Sequence, residues 1–241
     1  MHNIVVIGAS SGVGAAVSER LSARGQRVIG VARRTARLEA VASRCANMAI
    51  RTFDIGADAD VKALFTGIAE EFGPVRGVVY CAGQQYIAPI RGTQRERLDE
   101  LFQVNFMGAW SVIQAYSQKK IHSGPGSSFV AISSVAADRP EAGIVAYAAS
   151  KAALNALVKG AAVECAPVRF NAIAPGFMQT EMTGSNTHIY TEAFVEQLAK
   201  RSPLGLASPD KVAALADFLL SDDASHITGQ IMTLDGGATL K

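Results

Sequence analysis

Apolar and polar positions alternate in blocks along the whole chain. Short apolar runs occur at 4–7, 28–31, 48–53, 76–80, 128–132, 168–173 and 230–234. Between them lie longer stretches, such as Gly14–Arg24 and Val61–Phe72, whose apolar residues recur at helical spacing. A strand followed by a helix and then by another strand forms a βαβ unit, in which the two strands are parallel. The pattern predicts an α/β fold in which helices cover both faces of one seven-stranded parallel sheet.

Two polar segments interrupt this alternation. Ser123–Ser128 predicts a surface turn before the fifth strand, because glycine, proline and serine are concentrated there. Thr183–Thr191 lies beyond Pro175-Gly176 and is predicted to be a mobile flap. Neither segment has the length of a linker, and the chain contains no internal repeat. We therefore expect residues 1–241 to form a single domain.

Composition narrows the expected ligands to small molecules. Hydrophobic residues make up 49% of the 241 residues, which is enough for a sizeable core. The 23 basic and 21 acidic residues leave a net charge of +2, which is too small to attract nucleic acid or an acidic membrane surface. The apolar start Ile4–Ile7 is too short for a signal peptide or a membrane helix. Neither a nucleic acid nor a membrane is an expected partner.

Cysteine and histidine are too scattered to predict a metal site. The cysteines are odd in number and lack Cys-x2-Cys spacing, and the four histidines lack the spacing of metal ligands. Free thiols are typical of a reducing compartment. We therefore expect no metal and a cytoplasmic location.

A glycine-rich loop joins the first strand to the first helix. Gly8, Gly12 and Gly14 allow a tight turn and a close approach to a pyrophosphate, which the N–H groups at a helix N-terminus bind. A simple strand-to-helix turn is the alternative. The same segment matches the Gly-x-Ser-x-Gly nucleophile elbow of α/β-hydrolases around Ser10. That elbow needs an earlier strand and loop for its oxyanion hole, but only seven residues precede the motif.

The end of the second strand bears on the choice between NAD and NADP. An NAD site usually places an acid there to bind the ribose 2′-hydroxyl, whereas arginine favours a 2′-phosphate. The chain has Ala32-Arg33-Arg34 at this point, and Arg33 predicts NADP(H) over NAD(H) unless the arginines only form a solvated loop. Asp54, after the third strand, is expected either to accept a hydrogen bond from the adenine amino group or to cap the next helix.

The second half of the chain carries a candidate catalytic set. Tyr147 and Lys151 stand four residues apart, so on a helix they share one face. Ser134 follows an apolar strand and should lie at the carboxyl edge of the sheet, where ligands bind in open α/β folds. Reduction of a carbonyl needs a proton donor, here Tyr147, and a hydrogen bond that orients the oxygen, here from Ser134. The charge of Lys151, together with that of oxidised cofactor, is expected to lower the pKa of Tyr147.

Asn105 is a polar residue within an apolar helical stretch. It is either a satisfied buried amide or part of a kinked helix that holds a water molecule as a proton relay to Lys151.

These motifs together resemble the short form of the short-chain dehydrogenase/reductase family, over essentially the whole chain. The resemblance implies a Rossmann-type, doubly wound fold. The glycine loop, Cys81-Ala82-Gly83, the Pro-Gly-x3-Thr segment at 175–180 and Asp235-Gly236-Gly237 all match its pattern. It implies a catalytic tetrad of Asn105, Ser134, Tyr147 and Lys151. The cofactor contacts expected from the residues and the resemblance are Gly8, Ser10, Ser11, Gly12, Val13, Gly14, Arg33, Arg34, Asp54, Ile55, Cys81, Ala82, Gly83, Tyr147, Lys151, Pro175, Gly176 and Thr180.

The sequence departs from the family pattern at two cofactor positions. Cys81 replaces the usual asparagine, and Ser11 stands where NADP-dependent members often have a basic residue. Other branches fit less well, since extended epimerases use Gly-x2-Gly-x2-Gly and divergent enoyl reductases space tyrosine and lysine seven apart. A ketoreductase or an alcohol dehydrogenase remains.

The segment 174–182 is similar to that of 3-oxoacyl-[acyl carrier protein] reductases. Phe177, Met178 and Met182 are candidates for an apolar pocket, and Lys119 and Lys120 for contacts with an acidic carrier protein. The function expected from the sequence is NADPH-dependent reduction of a ketone, such as a 3-oxoacyl thioester. A dehydrogenase of a secondary alcohol and a non-catalytic NADP(H) sensor are the alternatives. The resemblance also implies a homo-oligomer, either a tetramer or a dimer.

Overall fold

The computed structural model describes residues 1–57, 60–181 and 190–240, and within them seven strands form one sheet. The strands are β1 (Asn3–Ile7), β2 (Arg27–Ala32), β3 (Met48–Thr52), β4 (Val75–Tyr80), β5 (Ser128–Ile132), β6 (Arg169–Pro175) and β7 (Ile231–Leu234). Their order is β3-β2-β1-β4-β5-β6-β7, and neighbouring strands are parallel throughout. The predicted α/β fold is confirmed, and the strand ends differ from the predicted runs by no more than two residues.

Helices lie on both faces of this sheet. They are α1 (Gly12–Ala23), α2 (Thr35–Ala42), α3 (Val61–Phe72), α4 (Arg95–Phe102), α5 (Gly108–Tyr116), α6 (Val145–Glu164), α7 (Glu192–Arg201) and α8 (Pro209–Leu220). A π-helix over Gln103–Met107 joins α4 to α5. Among the described helices, none is long and apolar enough to span a membrane.

Strand β1 shows why the sheet is covered on both sides. Val5 and Ile7 belong to the core cluster that includes α3, α5 and α6, whereas Ile4 and Val6 belong to the cluster that includes α1, α2 and α8. These four side chains are at most 3% exposed, and burial of each stabilises the fold by about 1.5–3 kcal/mol. A central strand with two buried faces has to be apolar throughout, and β1 is.

The strand order creates a crevice above β1. Strands β2 and β4 lie on opposite sides of β1. The chain adds β2 and β3 on one side of β1 and then crosses to add β4 to β7 on the other side. In open α/β sheets, ligands bind at such a switch point, beyond the carboxyl ends of the strands.

The two polar segments have different outcomes. The predicted turn at 123–128 is confirmed, with Gly124 and Gly126 at φ +81° and +86° before β5 begins. Of the predicted flap, residues 183–189 lie outside the described residues. At its end, the Thr191 side chain caps α7 by accepting a hydrogen bond from the Phe194 N–H.

Candidate active site

A cleft of about 510 Å³ opens at the carboxyl edge of the sheet, above β1 and β4. Every residue expected to contact a cofactor lines it, and so does Ser134. Asn105 lies behind the cleft wall, where it is fully buried. The structure therefore brings the glycine loop and the candidate catalytic residues into one site.

Close packing explains why two positions of the glycine loop have no room for a side chain. A Cβ atom on Gly8 would lie 2.7 Å from the backbone nitrogen of Ala82, and one on Gly14 would overlap the carbonyl oxygen of Gly8. Gly8 also has a φ of +85°, which favours glycine. Gly8 and Gly14 thus let the loop turn tightly between β1, β4 and α1.

Gly12 serves a different purpose, because it faces open space. It begins α1 with a φ of +52°, and a Cβ atom built on it would come no closer than 4.0 Å to Thr180. The neighbouring Ser11 side chain makes no capping hydrogen bond to the described helix, so the N–H groups of the first turn are left for a ligand of the cleft. A pyrophosphate fits such a cradle in charge and in space.

The far end of the cleft is basic. The Arg34 guanidinium donates hydrogen bonds to the Ser11 Oγ at 3.0 Å and the Ser10 Oγ at 3.4 Å, while one of its nitrogens lies 3.2 Å from a Glu181 carboxylate oxygen. The Arg33 guanidinium instead lies 3.9 Å from the Asp54 carboxylate. Arg34, rather than Arg33, is therefore the arginine that reaches the glycine loop.

Asp54 lines the cleft and accepts a hydrogen bond from the Gly56 N–H at 3.0 Å. The expectation that it caps the next helix is wrong, because Asp60 caps α3 by accepting from the Ala63 N–H at 2.9 Å. Asp60 directly precedes the helix, whereas six residues separate Asp54 from Val61. The expected bond from Asp54 to an adenine stays a prediction.

Ser134, Tyr147 and Lys151 converge at the other end of the cleft. The Tyr147 hydroxyl shares a hydrogen bond with Ser134, which follows the end of β5. The Lys151 Nζ lies 5.9 Å from the centre of the Tyr147 ring and donates a 2.8 Å hydrogen bond to the Ile132 carbonyl. A turn of α6 and the end of β5 thus hold the three functional groups together.

Burial determines the protonation state of Tyr147. Loss of solvation raises the pKa of its hydroxyl, and the hydrogen bond with Ser134 opposes the rise only in part. In the protein without cofactor, loss of solvation outweighs the groups that favour a phenolate; the expected lowering by Lys151 together with oxidised cofactor stays a prediction. Tyr147 is a neutral phenol at physiological pH, the form that donates a proton.

Burial also lowers the pKa of the Lys151 ammonium to about 8. Lys151 is only 4% exposed, and an ammonium loses more solvation energy there than its contacts restore. Between pH 8 and the ordinary lysine pKa, the unfolded chain binds more protons than the folded protein, so stability rises with pH.

We therefore expect wild-type protein to gain about 2 kcal/mol of unfolding free energy between pH 7 and pH 9.5 relative to Lys151→Met. Urea unfolding of both proteins at each pH measures this difference, and the variant cancels the other titrating groups. A difference that stays flat, or that falls as the pH rises, would contradict the assigned pKa.

Asn105 occupies the π-helix between α4 and α5, so the predicted irregularity of this helix is confirmed. Its amide is satisfied by the protein: Oδ1 accepts from the Gln84 N–H at 2.8 Å, and Nδ2 donates to the Gln84 carbonyl at 3.0 Å and to the Ser150 Oγ at 2.9 Å. The proposed water relay to Lys151 stays a prediction.

Two positioning residues were not found by sequence reasoning. Ser150 accepts the bond from Asn105 and donates to the Tyr147 carbonyl at 2.7 Å, which links the π-helix to the turn that carries Tyr147. Asn155 accepts a 2.6 Å hydrogen bond from Ser133, which ties α6 to the end of β5. Both are ordinary polar residues on a helix, and no local pattern in the sequence marks them.

Cys81 lies at the end of β4, beside Lys151. Its backbone N–H donates to the Ile7 carbonyl at 2.8 Å, so the main chain ties β4 to β1 at this point. Burial raises the pKa of the Cys81 thiol to about 12, and the nearby Lys151 charge opposes this only weakly. The thiol is therefore neutral and acts as a small apolar wall of the cleft.

Three aromatic side chains form a cluster that includes Tyr190, which is close enough to Tyr147 to act on its pKa. The Phe177 and Tyr190 rings lie 5.2 Å apart, and the Phe194 ring is 6.0 Å from Tyr190. The Tyr190 hydroxyl donates a 3.1 Å hydrogen bond to Gln85, which lines the cleft. We call Phe177, Tyr190 and Phe194 the aromatic wall.

The other expected pocket and carrier residues lie elsewhere. Met178 lines the cofactor cleft and packs against the α1 and α8 side of the core, while Met182 lies outside the described residues. Lys119 and Lys120 precede Ile121, whose carbonyl accepts from the Val75 N–H at the start of β4. They are therefore at the amino edge of the sheet, away from Tyr147, and do not support a carrier contact at the active site.

Comparison with known proteins agrees with this geometry. A family model described as Enoyl-(Acyl carrier protein) reductase matches residues 8–239. A vibriobactin-specific 2,3-dihydro-2,3-dihydroxybenzoate dehydrogenase of Vibrio cholerae is 32% identical, with 98% of this chain and 95% of the relative covered. A gluconate 5-dehydrogenase of Gluconobacter oxydans is 30% identical, with 98% and 94% covered. A solved short-chain type dehydrogenase/reductase from Mycobacterium ulcerans has a TM-score of 0.90 at 30% identity, covering 100% of this chain and 90% of that one.

The matched family model extends over nearly the whole chain, and these relatives align with it from end to end. The chain belongs to the short-chain dehydrogenase/reductase family and is an NAD(P)-dependent oxidoreductase that acts on CH–OH or C=O groups.

Proposed function

We propose that this protein is an NADPH-dependent reductase that converts a ketone to an alcohol, with a 3-oxoacyl thioester as the substrate class favoured first. One observation carries the proposal: a single cleft has an open helix N-terminus with Arg34 at one end and Ser134, Tyr147 and Lys151 at the other. A cleft with a basic end and a catalytic end suits a phosphorylated dinucleotide whose adenosine phosphate lies near Arg34 and whose nicotinamide lies beside Tyr147.

The residues divide the chemistry among themselves. The bound nicotinamide supplies the hydride. Ser134 donates a hydrogen bond that orients the carbonyl oxygen, and the Tyr147 hydroxyl donates the proton to that oxygen as charge develops there. The Lys151 ammonium is held by its hydrogen bond to the Ile132 carbonyl. Its other N–H groups would bind the ribose of the cofactor, and its charge would stabilise the phenolate that Tyr147 becomes. Asn105 and Ser150 position the turn that carries Tyr147.

The protonation of Tyr147 suits a proton donor. Burial raises the pKa of its hydroxyl in the protein without cofactor, so the phenol keeps its proton at neutral pH.

Arg34 supports a preference for NADPH. Its guanidinium lies against Ser10 and Ser11 and so supplies a cation at the place where Ser11 itself lacks one. A guanidinium binds a phosphate monoester with two hydrogen bonds, whereas the 2′-hydroxyl of NADH offers it much less.

Arg34→Ala is expected to weaken NADPH binding by about tenfold or more, because the loss of such a charge-assisted bond costs about 1.5–3 kcal/mol. NADH binding should change by less than about twofold. Titration of both cofactors against wild type, Arg34→Ala and Arg44→Ala measures this, with Arg44→Ala as the matched control because its charge is paired with Glu19 and it is not among the residues that line the cleft. Equal losses for NADPH and NADH would contradict the assignment.

The aromatic wall supports a substrate with an apolar group beside the ketone. Phe177 and Phe194 offer no hydrogen bonds, and the Tyr190 hydroxyl is already bonded to Gln85. A polyol would leave hydroxyl groups unpaired against this wall, which is costly. A secondary-alcohol dehydrogenase is the second candidate, since a gluconate 5-dehydrogenase is among the relatives.

Turnover separates these candidates. Purified protein is mixed with NADPH and, in turn, an acetoacetyl thioester, an aromatic ketone and a keto-sugar, and absorbance of the reduced nicotinamide is followed. We expect the highest kcat/KM for the thioester or the aromatic ketone. A clear preference for the keto-sugar would transfer the assignment to the second candidate, and no turnover in either direction would favour the sensor.

The remaining expectations stay proposals. A homo-oligomer is supported by large apolar side chains exposed on the helices, with Met107, Trp110 and Val163 at 44%, 49% and 85%. Delivery of the substrate on a carrier protein and a cytoplasmic location remain predictions.

A further inference from the structure

Glu181 forms a contact that the proposed reaction does not explain. Its carboxylate accepts hydrogen bonds from the guanidinium groups of both Arg34, at 3.2 Å, and Arg37. Glu181 directly follows Thr180 in the segment after β6, whereas the two arginines belong to the connection between β2 and α2 and to the start of α2. The contact therefore joins the segment after β6 to the connection between β2 and α2 at the basic end of the cleft.

The charges around this contact are unequal. Three arginines lie at the end of β2 and the start of α2, and two acids are paired with them among the described residues: Asp54 with Arg33, and Glu181 with Arg34 and Arg37. The side chains of Glu181, Arg34 and Arg37 are all between 41% and 50% exposed. They are within reach of a ligand, and the carboxylate can move away from the arginines without leaving a buried charge.

A 2′-phosphate and the Glu181 carboxylate would use the same donors. Both anions accept hydrogen bonds from the N–H groups of a guanidinium, and the Nη2 of Arg34 already donates to Ser10 and Ser11 while its Nη1 donates to Glu181. A phosphate monoester carries between one and two negative charges near neutral pH, so the two anions repel each other when they share these cations. The Glu181 carboxylate therefore opposes the binding of a phosphate to these arginines.

We propose that Glu181 is a specificity-determining residue, whose carboxylate competes with the 2′-phosphate of NADPH for Arg34 and Arg37 and so weakens NADPH binding while leaving NADH unaffected. The inference rests on the proposed function in one respect, that the adenosine ribose lies at the end of β2. It makes Arg34 and Arg37 a phosphate site whose charge is partly neutralised by a residue of the segment after β6. The contact between the segment that carries Thr180 and the two arginines then depends on whether NADPH or NADH is bound.

The test is the affinity of Glu181→Gln for four ligands: NADPH, NADH, adenosine 2′,5′-bisphosphate and 5′-AMP. We expect the variant to bind NADPH and the bisphosphate about fivefold to tenfold more tightly than wild type, since two exposed ion pairs no longer oppose the phosphate. Binding of NADH and 5′-AMP should stay within about twofold. A salt concentration of about 0.01 M keeps screening of these exposed charges small.

Two controls make the outcome specific. Glu39→Gln removes an exposed negative charge from the same helix as Arg37 and should leave all four affinities unchanged. In an Arg34→Ala, Arg37→Ala background, Glu181→Gln should give no tightening, because the arginines for which the two anions compete are gone.

Three results would overturn the proposal. Unchanged NADPH affinity in Glu181→Gln means that the carboxylate does not compete. Equal tightening in Glu39→Gln means that only net charge matters. Weaker binding of NADH and 5′-AMP means that Glu181 holds the ribose hydroxyls instead. The ratio of NADPH to NADH affinity in the wild type tests the proposed cofactor preference separately, because the change on Glu181→Gln is measured whichever cofactor binds better.

Discussion

Tyr147→Phe is expected to lower kcat for ketone reduction by about a thousandfold while leaving the Kd for NADPH within about twofold. The hydroxyl that is removed shares a hydrogen bond with Ser134 and is the proton donor that the proposed reaction uses. The ring is kept, so its contacts with α6 and with Lys151 persist. Rapid-reaction measurement of NADPH oxidation, with cofactor binding followed by nicotinamide fluorescence, gives both values.

The matched control is Tyr86→Phe, which removes a hydroxyl from a partly exposed tyrosine in the connection between β4 and α4. Its kcat should stay within about threefold of wild type, because general acid catalysis depends on one positioned donor. Comparable losses in the two variants, or a Tyr147→Phe protein that retains about a tenth of the wild-type rate, would show that another group donates the proton.

Gly12→Ala is expected to weaken NADPH binding by at least about tenfold, at a cost of about 1 kcal/mol in unfolding free energy. Apart from its neighbours in the chain, the new methyl group would meet no atom of the described residues closer than 4.0 Å, so the fold tolerates it apart from the strain of a positive φ. It would, however, occupy the space over the first turn of α1, where the pyrophosphate is proposed to lie.

Gly25→Ala separates the two effects. Gly25 also has a positive φ, +77°, and in the part of the chain that the structure describes no group beyond its chain neighbours lies within 4 Å of the place that a Cβ atom would take, but it follows the far end of α1. Thermal unfolding should show similar destabilisation of both variants, while only Gly12→Ala loses cofactor affinity. If both variants bind NADPH as wild type does, the cradle at Gly12 is not where the cofactor's phosphates bind.

The fold was predictable because burial acts on short stretches of sequence. A strand with helices on both faces has to be apolar on both faces, so β1 is visible as Ile4–Ile7. Helix α3 was predicted with its observed ends, Val61 and Phe72, because its apolar residues recur at helical spacing. The end of β6 was less predictable: Pro175 lies in the strand, although proline usually marks the end of one.

The site was predictable only where residues adjacent in sequence act together. Tyr147 and Lys151 share a helix face, and the glycine loop is one turn, so spacing and resemblance identified them. Arg33 and Arg34 are neighbours whose side chains diverge, and the sequence does not show which one reaches Ser11.

Contacts between distant segments were beyond sequence reasoning. Glu181 meets Arg34 across 147 positions of sequence, and Asn105 meets Ser150 across 45. The location of Lys119 and Lys120 depends on which edge of the sheet a connection crosses, which becomes apparent only once the strands are ordered. Such pairings follow from the folded topology and leave no periodic signal in the chain.

Transfer of deuterium from cofactor to product tests the central claim most directly. The protein is incubated with an acetoacetyl thioester and NADPH that carries deuterium at the transferred position of the nicotinamide, and the product is analysed by mass spectrometry. The account predicts one deuterium on the new carbinol carbon in wild type, and almost no product in the same time with Tyr147→Phe. Tight binding of NADPH without deuterium in any alcohol, across the whole ketone panel, would contradict it and identify the protein as a cofactor-binding sensor.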